Sequence, residues 1–137
     1  MWTIKTDSVT GMMKFRLVDD DGDAVASFRL NPADAKMAAR IERACAEVEE
    51  MSTSAPQMAD AKDLETYNDK LEAIICDALG VKQDSVFGVI PATAILVDGD
   101  LYAVNVLSTV TDVLGPEISK RKAKMQQAAS KYTANYQ

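Results

Sequence analysis

The chain of 137 residues contains no histidine, only two cysteines and one tryptophan, and 6% aromatic residues. Without histidine it lacks the side chain that titrates near neutral pH and most often serves as a general base. A tetrahedral zinc site needs about four ligands, and two cysteines do not supply them. The glycine-flanked serine of hydrolases and the glycine-rich phosphate loop are also missing from the sequence. These absences predict a protein that is not an enzyme and has no catalytic, cofactor-binding or metal-binding residues.

Long apolar runs are missing as well. No stretch of about 18 uncharged apolar residues is present, so we expect no helix that spans a membrane. The opening residues, MWTIKTDS, lack the basic and then apolar order of a secretory signal. Cys45 and Cys76 each fall on the apolar side of a predicted helix, which indicates small buried hydrophobes in a reducing compartment. The expected location is therefore cytoplasmic.

Charge is distributed unevenly along the chain. The net charge is −6, but residues 115–137 contain five basic residues and one acidic residue, a net +4. The rest of the chain therefore carries −10. Such an acidic body repels phosphates, which disfavours nucleic acid as a partner. The C-terminal cations indicate either a solvated helix face or a surface for an acidic protein partner.

Residues 12–30 carry the clearest pattern in the chain and predict a β-hairpin. With Asp21-Gly22 as a two-residue type I′ turn, opposite residues pair and six apolar side chains share one face. These pairs are Leu17 with Ala26, Phe15 with Phe28, and Met13 with Leu30. The other face takes Lys14, Arg16, Ser27 and Arg29. Trp2 and Ile4 alternate with polar residues and indicate a third strand.

Four aspartates surround Gly22 and raise the alternative of a calcium loop. Such a loop places carboxylates at positions 1, 3 and 5, glycine at position 6 and glutamate at position 12. Counted from Asp19, position 6 is Ala24 and position 12 is Leu30. The spacing fails, so the segment is interpreted as a charged turn.

Two helices follow in the predicted order. The first begins at Asn31 as N-cap with Pro32 in the first helical position, and ends near Met51. Its apolar residues recur at alternating spacings of four and three: Met37, Ile41, Ala44, Val48 and Met51. The second helix runs over residues 60–79 with Gly80 placed as its C′ residue. Its apolar stripe consists of Leu64, Tyr67, Leu71, Ile74, Ile75 and Ala78.

The most apolar run, residues 86–107, allows two interpretations. A hairpin over 93–106 would turn at Asp98-Gly99 and use the many β-branched residues there. A helix over 100–114, capped by Asp98 or Asp100, agrees better with the 3.6-residue period from Leu101 onward. Gly115-Pro116 should then break or kink the chain before a last helix over 116–131.

Together these elements predict one α+β domain over residues 1–137, with an N-terminal β-hairpin or small antiparallel sheet followed by a mainly α-helical bundle. The β-unit covers residues 1–30 and the helical core covers residues 31–114. A basic C-terminal helix and tail cover residues 116–137.

Three segments in the second half of the chain resemble the tail assembly chaperones of long-tailed bacteriophages. They are TYNDKLEAIICDALGVKQDSVFG, the apolar segment LYAVNVLSTVTDVLGPEI, and the basic segment KRKAKMQQAASKYTANY. Small proteins of that group place an "ALG…FG" element after two helices, then an apolar helix, then a lysine-rich stretch that ends near Lys-Tyr-x-x-Asn. Here that ending corresponds to Lys131, Tyr132 and Asn135. The resemblance covers about half the chain closely, and the order of the short motifs carries it.

The resemblance implies a non-enzymatic role in the cytoplasm of the bacterial host. Proteins of this kind bind the tape measure protein and recruit tail tube subunits during assembly, and self-association is expected. The candidate partner-binding residues are the C-terminal cations and the adjoining tyrosine: Lys120, Arg121, Lys122, Lys124, Lys131 and Tyr132. Two other functions fit the same sequence, a minor structural protein of the tail or virion and a cellular helical adaptor that binds other proteins.

Overall fold

The computed structural model describes residues 2–6, 11–54 and 60–134, with an N-terminal sheet followed by helices. The three antiparallel strands are β1 (Trp2–Thr6), β2 (Met13–Val18) and β3 (Ala24–Leu30), in that spatial order. The helices are α1 (Ala35–Ser54), α2 (Ala61–Leu79), the short α3 (Gln83–Phe87) and α4 (Tyr102–Ala134). The predicted α+β class is confirmed.

The predicted strand register is confirmed at every apolar pair. Phe15 lies opposite Phe28, with Met13 opposite Leu30 on one side and Leu17 opposite Ala26 on the other. β1 extends the sheet as expected, with Trp2 opposite Leu17 and Ile4 opposite Phe15. The register follows from the two-residue repeat of a strand, because a slip by one residue would move the whole apolar set to solvent.

The turn of the hairpin differs from the prediction. Gly22 has a φ of 84°, but Asp21 does not have the positive φ that a type I′ turn requires at both positions. The Asp19 amide instead donates to the Asp23 carbonyl (2.9 Å), and the Gly22 amide donates to the Asp19 carbonyl (3.0 Å). This is a three-residue loop, which shifts the pairing by one residue, and an irregularity at Leu17/Val18 restores the register.

Three aromatic rings pack together on the inner face of the sheet, and one of them also bonds to a helix. The rings of Phe15 and Phe28 stack with centroids 5.3 Å apart, and Trp2 packs edge-on against both. The Trp2 indole Nε1 also donates a hydrogen bond to Asn105 Oδ1 of α4 (3.2 Å). The first strand is therefore bound to the last helix across 103 residues of sequence.

The start of α1 lies later than the sequence predicts. Asn31 Oδ1 accepts from the Ala33 amide within a turn, whereas Asp34 Oδ1 accepts from the Met37 amide (3.0 Å) and caps the helix. The predicted N-cap at Asn31 is therefore wrong by three residues. Aspartate and asparagine are both common as N-caps and as turn residues, so the sequence does not distinguish Asn31 from Asp34. Pro32 lies in the turn before the helix.

The predicted limits of α2 are confirmed. The Asp60 carboxylate accepts from the Asp63 amide (2.9 Å), and Gly80 ends the helix with a φ of 70°. α1 and α2 pack against each other along their apolar stripes. Arg40 of α1 adds a hydrogen bond from its Nε to the Ala78 carbonyl near the end of α2 (3.2 Å).

The segment before α4 contains a small hairpin and then the helix, so each of the two sequence interpretations holds for a part of it. Ile95 and Leu101 form an isolated β-bridge around Gly99, whose φ is 90°. α4 begins at Tyr102, and the Asp98 carboxylate accepts from the Asp100 amide inside the loop. The predicted capping of the helix by Asp98 or Asp100 is therefore wrong, because the Tyr102 and Ala103 amides donate to backbone carbonyls instead.

Residues that precede the small hairpin, and not the hairpin loop itself, cap the first amides of α4. The Tyr102 amide donates to the Ala94 carbonyl (2.8 Å) and the Ala103 amide donates to the Ala92 carbonyl (3.0 Å). Backbone carbonyls from the preceding segment therefore satisfy groups that a helix leaves without internal partners.

The predicted break at Gly115-Pro116 is wrong, because α4 continues through Pro116 without interruption. Residues 116–134 are thus the second half of one helix and not a separate one. A proline removes one intrahelical hydrogen bond and crowds the preceding turn. Buried Leu114 before it and part-buried Ile118 after it hold both sides of this position against the core.

The core lies between the inner face of the sheet and the helices. Its largest fully buried side chains come from β2, β3, α2, α3 and α4: Tyr102, Phe15, Leu30, Leu71, Ile75, Leu114, Val86, Val106 and Val110. The Tyr102 hydroxyl donates to the Val86 carbonyl (2.8 Å), so its polar end is satisfied within this core. No helix in the described part of the chain is long and apolar enough to cross a membrane.

Candidate partner-binding groove

The second half of α4 leaves the core. From Ser119 to Lys131 only Arg121 is partly buried, and the other side chains are exposed. A helix of 33 residues is about 50 Å long at 1.5 Å per residue, which is longer than the core it packs against. The basic residues identified from the sequence all lie on this projecting half.

The predicted cations do not share one face. Lys120, Lys124 and Lys131 are spaced by four and seven residues and fall along one edge of the helix. Lys122 lies on the opposite edge, while Arg121 continues the stripe that faces the core. Tyr132 belongs to α4, but its side chain lies outside the described residues.

A groove with a volume of about 810 Å³ separates this half of α4 from the start of α1. One wall consists of small residues at and before the α1 N-terminus: Pro32, Ala33, Ala35 and Ala38. Ile118, Met125 and Ala129 form the apolar part of the opposite wall. Met125 is 72% exposed, which is high for a large apolar side chain. An exposed apolar groove of this kind is typical of binding surfaces.

Three of the five candidate cations line the groove and two do not. Arg121, Lys122 and Lys124 border it, together with Gln126, and no carboxylate is present among its described lining residues. Lys120 and Lys131 lie outside the lining. The groove therefore combines apolar walls, which form its floor, with a rim of positively charged side chains.

Arg121 is the partly buried cation of the groove. Its Nε is buried and has no hydrogen-bond partner within the described part of the chain. A Cβ placed on Gly11 would lie 3.5 Å from Nη2 of this arginine, and Gly11 has a φ of 73°. That distance is an ordinary van der Waals contact, so the positive φ, and not lack of space, is what favours glycine at this position. A buried donor without an acceptor costs about 1–3 kcal/mol, and this Nε atom is such a donor among the described residues.

A second polar cluster lies inside the fold, around the buried carboxylate of Glu72 on α2. Glu72 accepts hydrogen bonds from the side-chain amides of Asn68 and Gln83 and from the Ala92 amide (3.1 Å). Asn68 in turn accepts from both the amide and the hydroxyl of Thr93. These contacts hold residues 92–94, whose carbonyls cap α4. The cluster therefore holds this segment in position for capping α4.

The cysteines are free thiols in unfavourable surroundings for a nucleophile. Burial raises the pKa of the Cys76 thiol to about 11, and the carboxylates of Glu72 and Asp77 act in the same direction. Burial also raises the pKa of Cys45, with a further contribution from Glu42. Both shifts disfavour the reactive thiolate at neutral pH.

The four aspartates around Gly22 do not assemble a cation site. The Asp19 carboxylate accepts from the amides of Asp21 (3.0 Å) and Asp23 (2.9 Å), and so stabilises the turn. Within the described residues no group of histidine, cysteine or acidic side chains is arranged to hold a metal ion.

Sequence reasoning identified the cations of the groove but missed its opposite wall. The sequence indicates only a helix-starting role for Pro32, because no local pattern indicates which distant helix passes beside it. Glu72 was missed for the same reason, since a glutamate in a helix is normally exposed. Glu72 lies beside the apolar stripe of α2, so the pattern gave no signal that this side chain turns inward.

No family model, characterised protein or solved structure matches this chain.

Proposed function

We propose that this protein is a non-enzymatic tail assembly chaperone of a long-tailed bacteriophage or prophage. In this role it binds the tape measure protein in the cytoplasm of the bacterial host and helps to recruit tail tube subunits. Support comes from the ordered sequence motifs of the second half of the chain and from the groove between α1 and α4. The groove is the observation that carries the proposal, because it offers a surface suited to a helical protein.

The shape and chemistry of the groove favour an amphipathic helix as its occupant. A helix binds such a groove by placing apolar side chains, spaced by three or four residues, against an apolar floor. Met125 suits this role because its unbranched side chain adapts to differently shaped partners. The cations on both edges then favour a helix whose flanks carry glutamate or aspartate.

Charge complementarity assigns a separate role to the rim. Attraction between exposed charges mainly raises the association rate and fixes orientation, and it weakens as salt shortens the screening length to about 10 Å or less. Lys122 and Lys124 border the groove from opposite edges of α4. An acidic helix lying between them would be oriented by both.

A pair of alanine substitutions tests the groove. Ala129 lines it, whereas Ala123 lies on a different side of the same exposed helix. We expect Ala129→Glu to weaken capture of the tape measure protein from the same genome at least tenfold. Ala123→Glu introduces the same charge and should leave the affinity unchanged. Isothermal titration with the purified client provides the comparison.

A second pair tests the rim with equal changes in charge. Lys122→Gln with Lys124→Gln should slow association in low salt, while Lys120→Gln with Lys131→Gln should not. Melting temperatures should stay the same in both variants because all four side chains are exposed. Equal effects of the two pairs would contradict a specific groove. Retention of the protein in purified virions would contradict a chaperone and favour a structural tail protein.

A further inference from the structure

Two adjacent rows on the exposed face of the sheet carry only cations and hydroxyl groups. Strand pairing places Lys5 opposite Lys14, and Lys14 opposite Arg29, which makes one row of three cations across all three strands. The adjacent row consists of Thr3, Arg16 and Ser27. All six side chains are exposed.

This arrangement is unfavourable for the isolated domain. Like charges that face each other directly across strands destabilise a sheet. No described carboxylate forms an ion pair with Lys5, Lys14 or Arg29. Folding requires only polar residues at these positions, so three adjacent cations in a chain of net charge −6 point to an external acidic partner.

A matching acidic surface is present on the same protein. Glu42 and Glu49 are exposed on α1 outside its apolar stripe, and Glu49 also borders a shallow groove against α4. Glu42 and Glu49 are two turns apart, so they lie on one side of the helix about 10 Å apart along its axis. The row from Lys5 to Arg29 spans two strand spacings, which is also about 10 Å.

We propose that this cationic row binds the outer side of α1 of a second copy of the chain, with Glu42 and Glu49 against Lys5, Lys14 and Arg29. In this head-to-tail arrangement, each neighbour uses only one of the two surfaces, so the contact is heterologous. Each copy keeps one free surface of each kind, and the contact therefore generates rings or open chains of molecules. The inference does not depend on the proposed function and does not use the groove.

A second copy fits this face better than a nucleic acid does. Proteins that bind single strands without sequence preference combine cations with aromatic side chains for base stacking. The exposed face of the sheet carries no aromatic residue. The remaining acidic surface would also repel a phosphate chain, while it supplies the carboxylates that a second copy needs.

Complementary charge reversal tests the contact. The sheet variant carries Lys14→Glu and Arg29→Glu, and the helix variant carries Glu42→Lys and Glu49→Lys. Sedimentation velocity in low salt should show assembly of the wild type and at least tenfold weaker assembly of each variant alone. An equimolar mixture of the two variants should assemble again, because every reversed surface then meets an opposite charge.

A matched control separates this contact from a general effect of net charge. Glu65→Lys with Asp69→Lys makes the same change on the exposed surface of α2 and should assemble as the wild type does. If the sheet variant does not fold, Lys14→Gln with Arg29→Gln replaces it, with weaker assembly as the expected result. A monomeric wild type, a sheet variant that assembles normally, or a mixture that stays monomeric would each overturn the proposal. Binding of single-stranded DNA by the wild type but not the sheet variant, without effect of the helix variant, would assign the face to nucleic acid instead.

Discussion

The two halves of α4 are one continuous helix but are helical for different reasons. The first half, residues 102–114, is rich in valine and threonine, which are poor helix formers, yet it contributes many of the core side chains. The second half, residues 119–131, consists mainly of alanine, lysine and glutamine, which favour helix, and it is almost entirely exposed. Tertiary burial therefore holds the first half, and intrinsic propensity holds the second.

This difference also separates the two roles of the helix. A segment held by burial tolerates few changes, because each side chain fills a specific space. A segment held by propensity can change its surface without loss of the fold. The projecting half is thus free to carry a binding groove, while the buried half anchors it.

The largest effect should come from truncation in the buried half. Leu114 is 2% exposed, and Leu114→Ala should lower the free energy of unfolding by about 2–5 kcal/mol through lost contacts and a residual cavity. Met125→Ala in the exposed half should change it by less than about 0.5 kcal/mol. Urea denaturation monitored by circular dichroism measures both. Equal losses would show that the second half also packs against the core.

Loss of the tertiary cap should affect only the first half. Glu72→Ala leaves the buried Ala92 amide without its acceptor, at a cost of about 1–3 kcal/mol. Hydrogen exchange should accelerate at the Tyr102 and Ala103 amides, which the released segment caps. Amides near Met125 serve as the internal control, and a uniform increase along α4 would count against a local role for Glu72.

The junction between the halves offers a stabilising change. Pro116→Ala restores one helical hydrogen bond, and alanine is favoured over proline in a helix interior by about 3 kcal/mol. Part of this gain is offset because the unfolded chain becomes more flexible. We expect a net increase of about 1–2 kcal/mol in urea denaturation. A loss of stability would mean that the proline geometry itself is required for packing.

Tyr102→Phe removes the hydrogen bond to the Val86 carbonyl and should cost about 0.5–1.5 kcal/mol. The wild type should also lose stability as the pH rises. Burial raises the pKa of Tyr102 from 10.0 to about 12, so between these values the unfolded chain releases this proton while the folded chain retains it. The phenylalanine variant should lack this component of the loss between pH 10 and 12. Urea midpoints of both proteins across that range provide the measurement.

The smallest effect on global stability should come from lowering the helix propensity of the exposed half of α4. Ala123→Gly should destabilise the local helix by about 1 kcal/mol while the urea midpoint stays almost unchanged. Faster hydrogen exchange confined to residues beyond Ile118 would be the signature. A matching drop in the urea midpoint would contradict independent behaviour of the two halves.

The sequence predicted well those features that repeat locally. The strand register around Phe15 and Phe28 followed from alternation alone, and the limits of α2 followed from Asp60 and Gly80. The prediction of a two-residue turn after Val18 was wrong. A bulge and a longer loop compensate each other there, so the pattern of paired residues is the same for both turns. It also identified the cations of the candidate groove, although not how they divide between the edges of the helix.

By itself, the sequence determined the type and order of β1, β2, β3, α1 and α2, because periodicity depends on neighbours within a few residues. Only the tertiary structure decided where α4 begins. The carbonyls of Ala92 and Ala94 cap it, and Glu72 of α2 holds this segment through the Ala92 amide. Continuity through Pro116 was likewise decided by burial on both sides. The groove beside Met125 and the cationic row on the sheet also depend on residues distant in sequence. Such features arise when distant segments share one space, and no local pattern encodes which segments will meet.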